Sequence, residues 1–186
     1  TKIMKINQST WKLLEFFFDN PYRETYLREI SKITGVSIFS AKMSVDYLVS
    51  LNLLEERKIG RMRYIRPNVN NLFFKYLKIT FSIKKIIESG IIEYLLQNVP
   101  GIFSIVLFGS VAKGEDDKDS DLDLLVIGQR TKKLSFIKFE KRIGRKIRPI
   151  IMKWFQWKEV SKKNRAFYIE IITTGIPLYG NLPVME

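Results

Sequence analysis

The stretch LFGSVAKGEDDKDSDLDLLVIG, residues 107–128, constrains this chain more than any other. Two apolar runs, FSIVLFG and DLDLLVIG, bracket a loop, and six acidic residues fall in the ten positions Gly114 to Asp123. Short runs rich in Ile, Val and Leu read as strands buried on both faces. The acid density is unexpected, because 32 Lys and Arg against 19 Asp and Glu give the chain a net charge of +13. Carboxylates so crowded repel each other. A bound cation, a basic partner or plain solvation of the loop would offset that repulsion.

Spacing sorts the cation readings. Asp117, Asp119 and Asp121 match the first three ligands of an EF-hand loop, but Leu122 and Gly128 stand where its Gly and Glu belong. A P-loop fails too, since no Gly-Lys-Ser/Thr is present. The chain has no His and no Cys, which excludes a His-based triad, thiol chemistry, disulfides and His- or Cys-ligated metals. What survives is Gly109-Ser110, ten residues, then Asp121-Leu122-Asp123 on a strand. Alternation sends Asp121 and Asp123 to one face, ~7 Å apart along it. Two carboxylates so placed can hold Mg²⁺, and a small Gly before Ser110 lets a phosphate approach the backbone.

This pattern resembles the nucleotidyltransferase domain of the DNA polymerase β superfamily, in its minimal members. The flanks IEYLLQNVPGIFSI and YIEIITTGIPLYG resemble that family as well, so the likeness spans residues 88–180. The resemblance implies that Gly109 and Ser110 contact nucleotide phosphates. It also implies that Asp121 and Asp123 are the catalytic, Mg²⁺-ligating carboxylates, with Mg²⁺ arriving with a nucleoside triphosphate. Asp116, Asp117 and Asp119 are expected to be loop charges. One departure stands out. Active members carry a third carboxylate on the next strand, here KIRPIIM, which has no acid and has Arg148 or Pro149 at the expected place. If Arg148 points into the cleft, it should pair with Asp121 or Asp123. Glu140 is a substitute acid that the spacing does not support. Residues 130–165 hold fourteen Lys/Arg against two Glu, a basic rim suited to triphosphate or a nucleic-acid acceptor.

The N-terminal third follows a different pattern. Trp11, Leu14, Phe17 and Phe18 predict a helix over residues 10–19, stopped by Asn20-Pro21. Leu27, Ile30 and Ile33 predict a second helix ending at Gly35. Ser37 then caps a third helix with Ala41, Val45, Leu48 and Leu51 inward and Ile38, Phe39, Lys42, Met43 and Asp46 outward. LLEERKIGRMRYIRP reads as a hairpin turning at Ile59-Gly60-Arg61. A helix-turn-helix followed by a basic hairpin resembles a winged helix-turn-helix DNA-binding domain. That resemblance implies DNA contacts by Lys42 on the third helix and by Arg57, Lys58, Arg61 and Arg63 on the wing. The apolar outer strip Ile38, Phe39 and Met43 suits a protein contact instead.

The expected fold class is therefore α/β (α+β) in two domains: an N-terminal winged helix-turn-helix and a C-terminal nucleotidyltransferase-like mixed sheet flanked by helices. The expected divisions are residues 1–67, a helical joint at 68–98, and 99–186. The joint carries Phe73, Phe74, Leu77 and Phe81 on one side of a helix over 72–88. Three strands and a single closing helix over 157–174 are expected in the second domain. No apolar run is long enough to span a membrane, so a soluble, cytoplasmic protein is expected. The expected function is a DNA-binding transcriptional regulator with a nucleotide-binding, degenerate transferase domain. The alternative is an active Mg²⁺-dependent nucleotidyltransferase moving NMP to a protein or nucleic-acid hydroxyl. The expected partners are DNA and a nucleoside triphosphate; a protein partner and a homodimer stay open.

Overall fold

The computed structural model describes residues 6–129 and 134–185. Arg130, Lys132 and Lys133 of the expected basic rim lie outside the described residues. The chain divides into two compact units, residues 1–78 and 79–186, with the division inside a helix.

In the first unit, α1 (Gln8–Asp19) begins at Asn7, whose side chain accepts the Thr10 amide. It buries Leu13, Leu14, Phe17 and Phe18. β1 (Thr25–Tyr26) leads into α2 (Leu27–Thr34), which ends at left-handed Gly35. Of its three apolar positions only Ile30 is buried, and Ile33 is exposed. Ser37 caps α3 (Ile38–Ser50), accepting the Ser40 amide, and Ala41, Val45 and Leu48 face inward. A buried hydrogen bond from the Thr10 hydroxyl to that of Ser44 (3.0 Å) ties α1 to α3. β2 (Leu54–Ile59) and β3 (Met62–Pro67) form the hairpin, and β1 adds to β3. The antiparallel order is β1-β3-β2. On α4 (Leu72–Ser89), Phe74 and Phe81 are buried while Phe73 is exposed, which corrects the expected stripe.

The second unit continues from α4 through α5 (Ile91–Asn98) into β4 (Ser104–Phe108). Short α6 (Gly109–Lys113) and the acidic loop lead to β5 (Leu122–Ile127), then α7 (Ile137–Ile143) to β6 (Ile147–Met152). α8 (Trp154–Lys163), α9 (Arg165–Thr174) and β7 (Ile176–Gly180) complete it. The sheet order is β6-β5-β4-β7, with β5 and β6 parallel and the other pairs antiparallel.

Both sheet faces are covered, as the unbroken apolar runs of β4 and β5 require. Ile105, Leu107, Leu122, Leu124 and Val126 pack on one face with Ile86, Leu95 and Phe139. Val106, Phe108, Leu125 and Ile127 pack on the other with Trp157 and Ile171. Two expectations need correction. The closing helix is two helices, because Asn164 ends α8 and its side chain accepts the Phe167 amide to start α9. IPLYG is a fourth strand, β7, on the free side of β4. Among the described residues no helix is long and apolar enough to cross a membrane.

Candidate nucleotide site

The sheet's register assembles the site. β4 pairs antiparallel with β5, so Phe108, at the end of one strand, lies opposite Asp123, near the start of the other. Gly109 follows with φ +73, the left-handed region that favours glycine. A Cβ on Gly109 would lie 2.4 Å from Asp123 Oδ2, so the carboxylate occupies the space that a side chain would need. Ser110 comes next on α6, partly exposed, and its hydroxyl bonds to no described residue. Leu122 pairs with Ile147 and Asp123 with Arg148. Arg148 thus stands at the strand position where the resemblance called for an acid.

Arg148 turns toward the aspartates. Its Nε lies 2.8 Å from Asp121 Oδ2, with the Arg148 side chain largely exposed. Burial pushes the Asp123 carboxyl up from its ordinary value; Arg148 pulls it down, and the charges of Asp121 and Glu170 push it up again. Glu170 comes from α9 and is held by Lys113 of α6, Nζ to Oε1 2.5 Å. Sequence reasoning missed it. Its signal was a lone acid set in the apolar run Ala166 to Ile172.

The acidic loop is exposed at Glu115, Lys118 and Asp119 but anchored by Asp116. Asp116 is fully buried, with Oδ2 2.7 Å from Nη2 of Arg145, whose side chain is also nearly buried. That corrects its reading as a loop charge. Asp117 accepts the Asp119 amide (3.0 Å) and the Ser120 hydroxyl (2.9 Å). Its own amide donates to Ser120 Oγ (3.0 Å). Arg145 also donates to the Ser120 carbonyl (3.3 Å). Glu140 accepts the Ile147 amide (3.0 Å) at the start of β6, a structural role away from the aspartates. Among the described residues no three His, Cys, Asp or Glu side chains form a group able to hold a metal ion. Asp121 and Asp123 could hold Mg²⁺ only together with phosphate and water oxygens, and Arg148 competes for Asp121.

Asp117 yields a pH prediction. The Ser120 hydroxyl, ahead of the backbone amides and Arg145, holds its carboxyl below the usual value of 3.8. The stabilisation is fully present above the unfolded value and disappears as pH falls through the lower folded value. Ser120→Ala should therefore cost about 1 kcal/mol at neutral pH. In urea melts the gap from the native protein should narrow in strong acid, leaving the part due to the Asp117 amide bond to Ser120 Oγ. A gap of unchanged size there would show that the Asp117 carboxylate is not its source.

The expected DNA-contacting residues fall into two groups. Lys42 lies on the exposed face of α3 with Ile38, Phe39 and Met43. Lys58 and Arg61 are exposed at the hairpin end and form no ion pair with a described residue. Arg57 instead grips Glu24 with two bonds, 2.6 and 2.5 Å, and lies over the Tyr64 ring. Arg63 binds both Asp46 and Glu56, and Arg66 pairs with Glu55 at 2.7 Å. The arginine-rich hairpin is thus partly neutralised by acids of its own unit.

Residues 88–174 match the family model of the nucleotidyltransferase domain, and the second unit is nucleotidyltransferase-like. Two similar solved structures are a toxin-antitoxin crystal structure with AMP-PNP, 24% identical, and a mutant of the toxin-antitoxin MntA-HpeT, 21% identical. Each match covers 50% of this chain and 73% of the other, with a TM-score of 0.37. No curated protein matches the chain.

Proposed function

We propose that the second unit binds a nucleoside triphosphate at Gly109 and Ser110 and has lost NMP transfer, within a DNA-binding regulator. The observation that carries this reading is the Arg148–Asp121 pair. An acid at that strand position would complete a three-carboxylate set around a cation. An arginine supplies the positive charge itself and satisfies Asp121 without metal. Phosphate oxygens would take the Ser110 hydroxyl as a donor, beside the Asp123 carboxylate that fills the space a Cβ on Gly109 would need. They would also compete with Asp121 for Arg148, which is exposed enough to swing between them.

Calorimetry with a non-hydrolysable triphosphate tests the phosphate placement. Alanine at φ +73 costs ~1–2 kcal/mol of strain, and its Cβ would displace the Asp123 carboxylate. Gly109→Ala should weaken binding by about tenfold or more, a 1.4 kcal/mol effect. A variant that binds like the native protein would move the phosphates elsewhere.

The order helix, strand, helix, helix, hairpin supports a winged helix-turn-helix reading of the first unit. Of the cations the resemblance implicates, Lys42, Lys58 and Arg61 are exposed and form no ion pair with a described residue. Three phosphate contacts predict a salt slope near −2.7 in log K against log salt, at ~0.9 per contact. Lys58→Ala with Arg61→Ala should flatten it by ~1.8. An unchanged slope, or no DNA binding at low salt, would favour a protein partner on Ile38, Phe39 and Met43.

A further inference from the structure

The end of the sheet opposite Gly109 carries an open groove of about 470 Å³. β4 begins there, β5 and β6 end there, and its distance from the aspartates is one strand length, ~17 Å. Phe103, Gly128, Gln129, Lys153, Trp154 and Phe155 line it. Phe103, Trp154 and Phe155 are 49%, 42% and 62% exposed, unusual for three large aromatic side chains in one place. Phe103 and Trp154 pack together with ring centroids 4.7 Å apart and planes tilted by 60°, so each ring supports the other and presents its own face. The Lys153 ammonium lies 6.0 Å from the Phe155 ring centre. The exposed Gln129 amide offers a donor and an acceptor beside the rings.

The charge pattern says what fits on this surface. Along α8, Phe155, Lys158 and Lys162 fall at i, i+3 and i+7, on one exposed face, while Trp157 points into the core. Lys158 and Lys162 form no ion pair with a described residue, and the neighbouring acid, Glu159, is taken by Lys163 at 2.7 Å. The groove therefore continues into a row of available cations. Ring faces followed by a lysine track are what a single strand needs, with bases on the aromatics and phosphates along the lysines. A duplex keeps its base faces stacked inside and could use only the lysines.

We propose that this groove and the outer face of α8 bind single-stranded nucleic acid, by stacking on Phe155 and the Phe103–Trp154 pair and by phosphate contacts to Lys153, Lys158 and Lys162. The test is fluorescence anisotropy of the full chain, carrying Lys42→Ala, Lys58→Ala and Arg61→Ala to remove the proposed duplex contacts of the first unit, with labelled thymidine and uridine oligonucleotides of ~15 residues and a duplex of equal length. The single strands should bind more tightly than the duplex, the two sugars showing whether DNA or RNA is preferred. Phe155→Ala should weaken single-strand binding by ~5- to 150-fold, the equivalent of ~1–3 kcal/mol for one stacked base. Lys158→Ala with Lys162→Ala should flatten the salt slope by ~1.4. The proposal is overturned if, with those first-unit cations removed, the duplex binds as well as the single strands, or if Phe155→Ala does not weaken single-strand binding. Should Phe155→Ala lower the melting temperature, the lysine pair decides, because both side chains are fully on the surface.

Discussion

Asp116→Ala should destabilise the second unit by about 3–5 kcal/mol, the cost of leaving one member of a buried ion pair without the other. Asp116 Oδ2 lies 2.7 Å from Arg145 Nη2, with Asp116 fully buried and Arg145 nearly so. Without the carboxylate, the guanidinium has to drag water inward or pull out of the loop. The Ser120 carbonyl that it also serves would move with it, beside Asp121. Replacing both partners, Asp116→Leu with Arg145→Met, should recover most of the loss, because the desolvation cost of both charges is then removed. Denaturant unfolding followed by Trp157, buried in this unit, reads the effect. A single-variant loss under ~1 kcal/mol would mean that the pair behaves like a surface bridge.

Arg148→Asp should raise Mg²⁺ affinity by about tenfold or more. The change removes a cation that holds Asp121 and places a third carboxylate in register with Asp123. At a few Å, each unit charge still acts on a divalent ion with kcal/mol strength even where water screens it. Stability should hardly change, because an exposed pair of this kind contributes ~0–1 kcal/mol. Burial already pushes Asp123 up, and exchanging Arg148 for an acid pushes it further. The gain in Mg²⁺ binding should therefore grow as pH rises and the carboxylates lose their protons. Calorimetry of both proteins across that range checks the magnitude and the trend.

Features written in neighbouring residues were legible in the sequence. Trp11, Leu14, Phe17 and Phe18 located α1, Ser37 located the start of α3, and the Gly60 turn located the hairpin. Spacing picked out Gly109, Ser110, Asp121 and Asp123 as candidate residues, and the missing acid on β6 pointed to Arg148 before its partner was visible. What escaped depends on distant partners. Asp116 and Asp117 look alike in sequence, yet one is buried against Arg145, 29 positions away, and the other folds onto Ser120. The hairpin arginines appeared unopposed because Glu24 and Asp46 reach them from other elements. Two-residue β1 is too short for any periodicity. Asn164 broke the closing helix without Gly or Pro, and Pro177 obscured β7, which tolerates it at the sheet edge.

Transfer of label from α-labelled nucleoside triphosphates is the most direct test of a nucleotide-binding site closed by arginine. The native protein with Mg²⁺ and triphosphate should bind nucleotide and pass no label to protein or nucleic-acid hydroxyls above background. Transfer by the native protein at an enzyme-like rate, on the order of 1 s⁻¹ or faster, would contradict the account and make Arg148 part of a working active site.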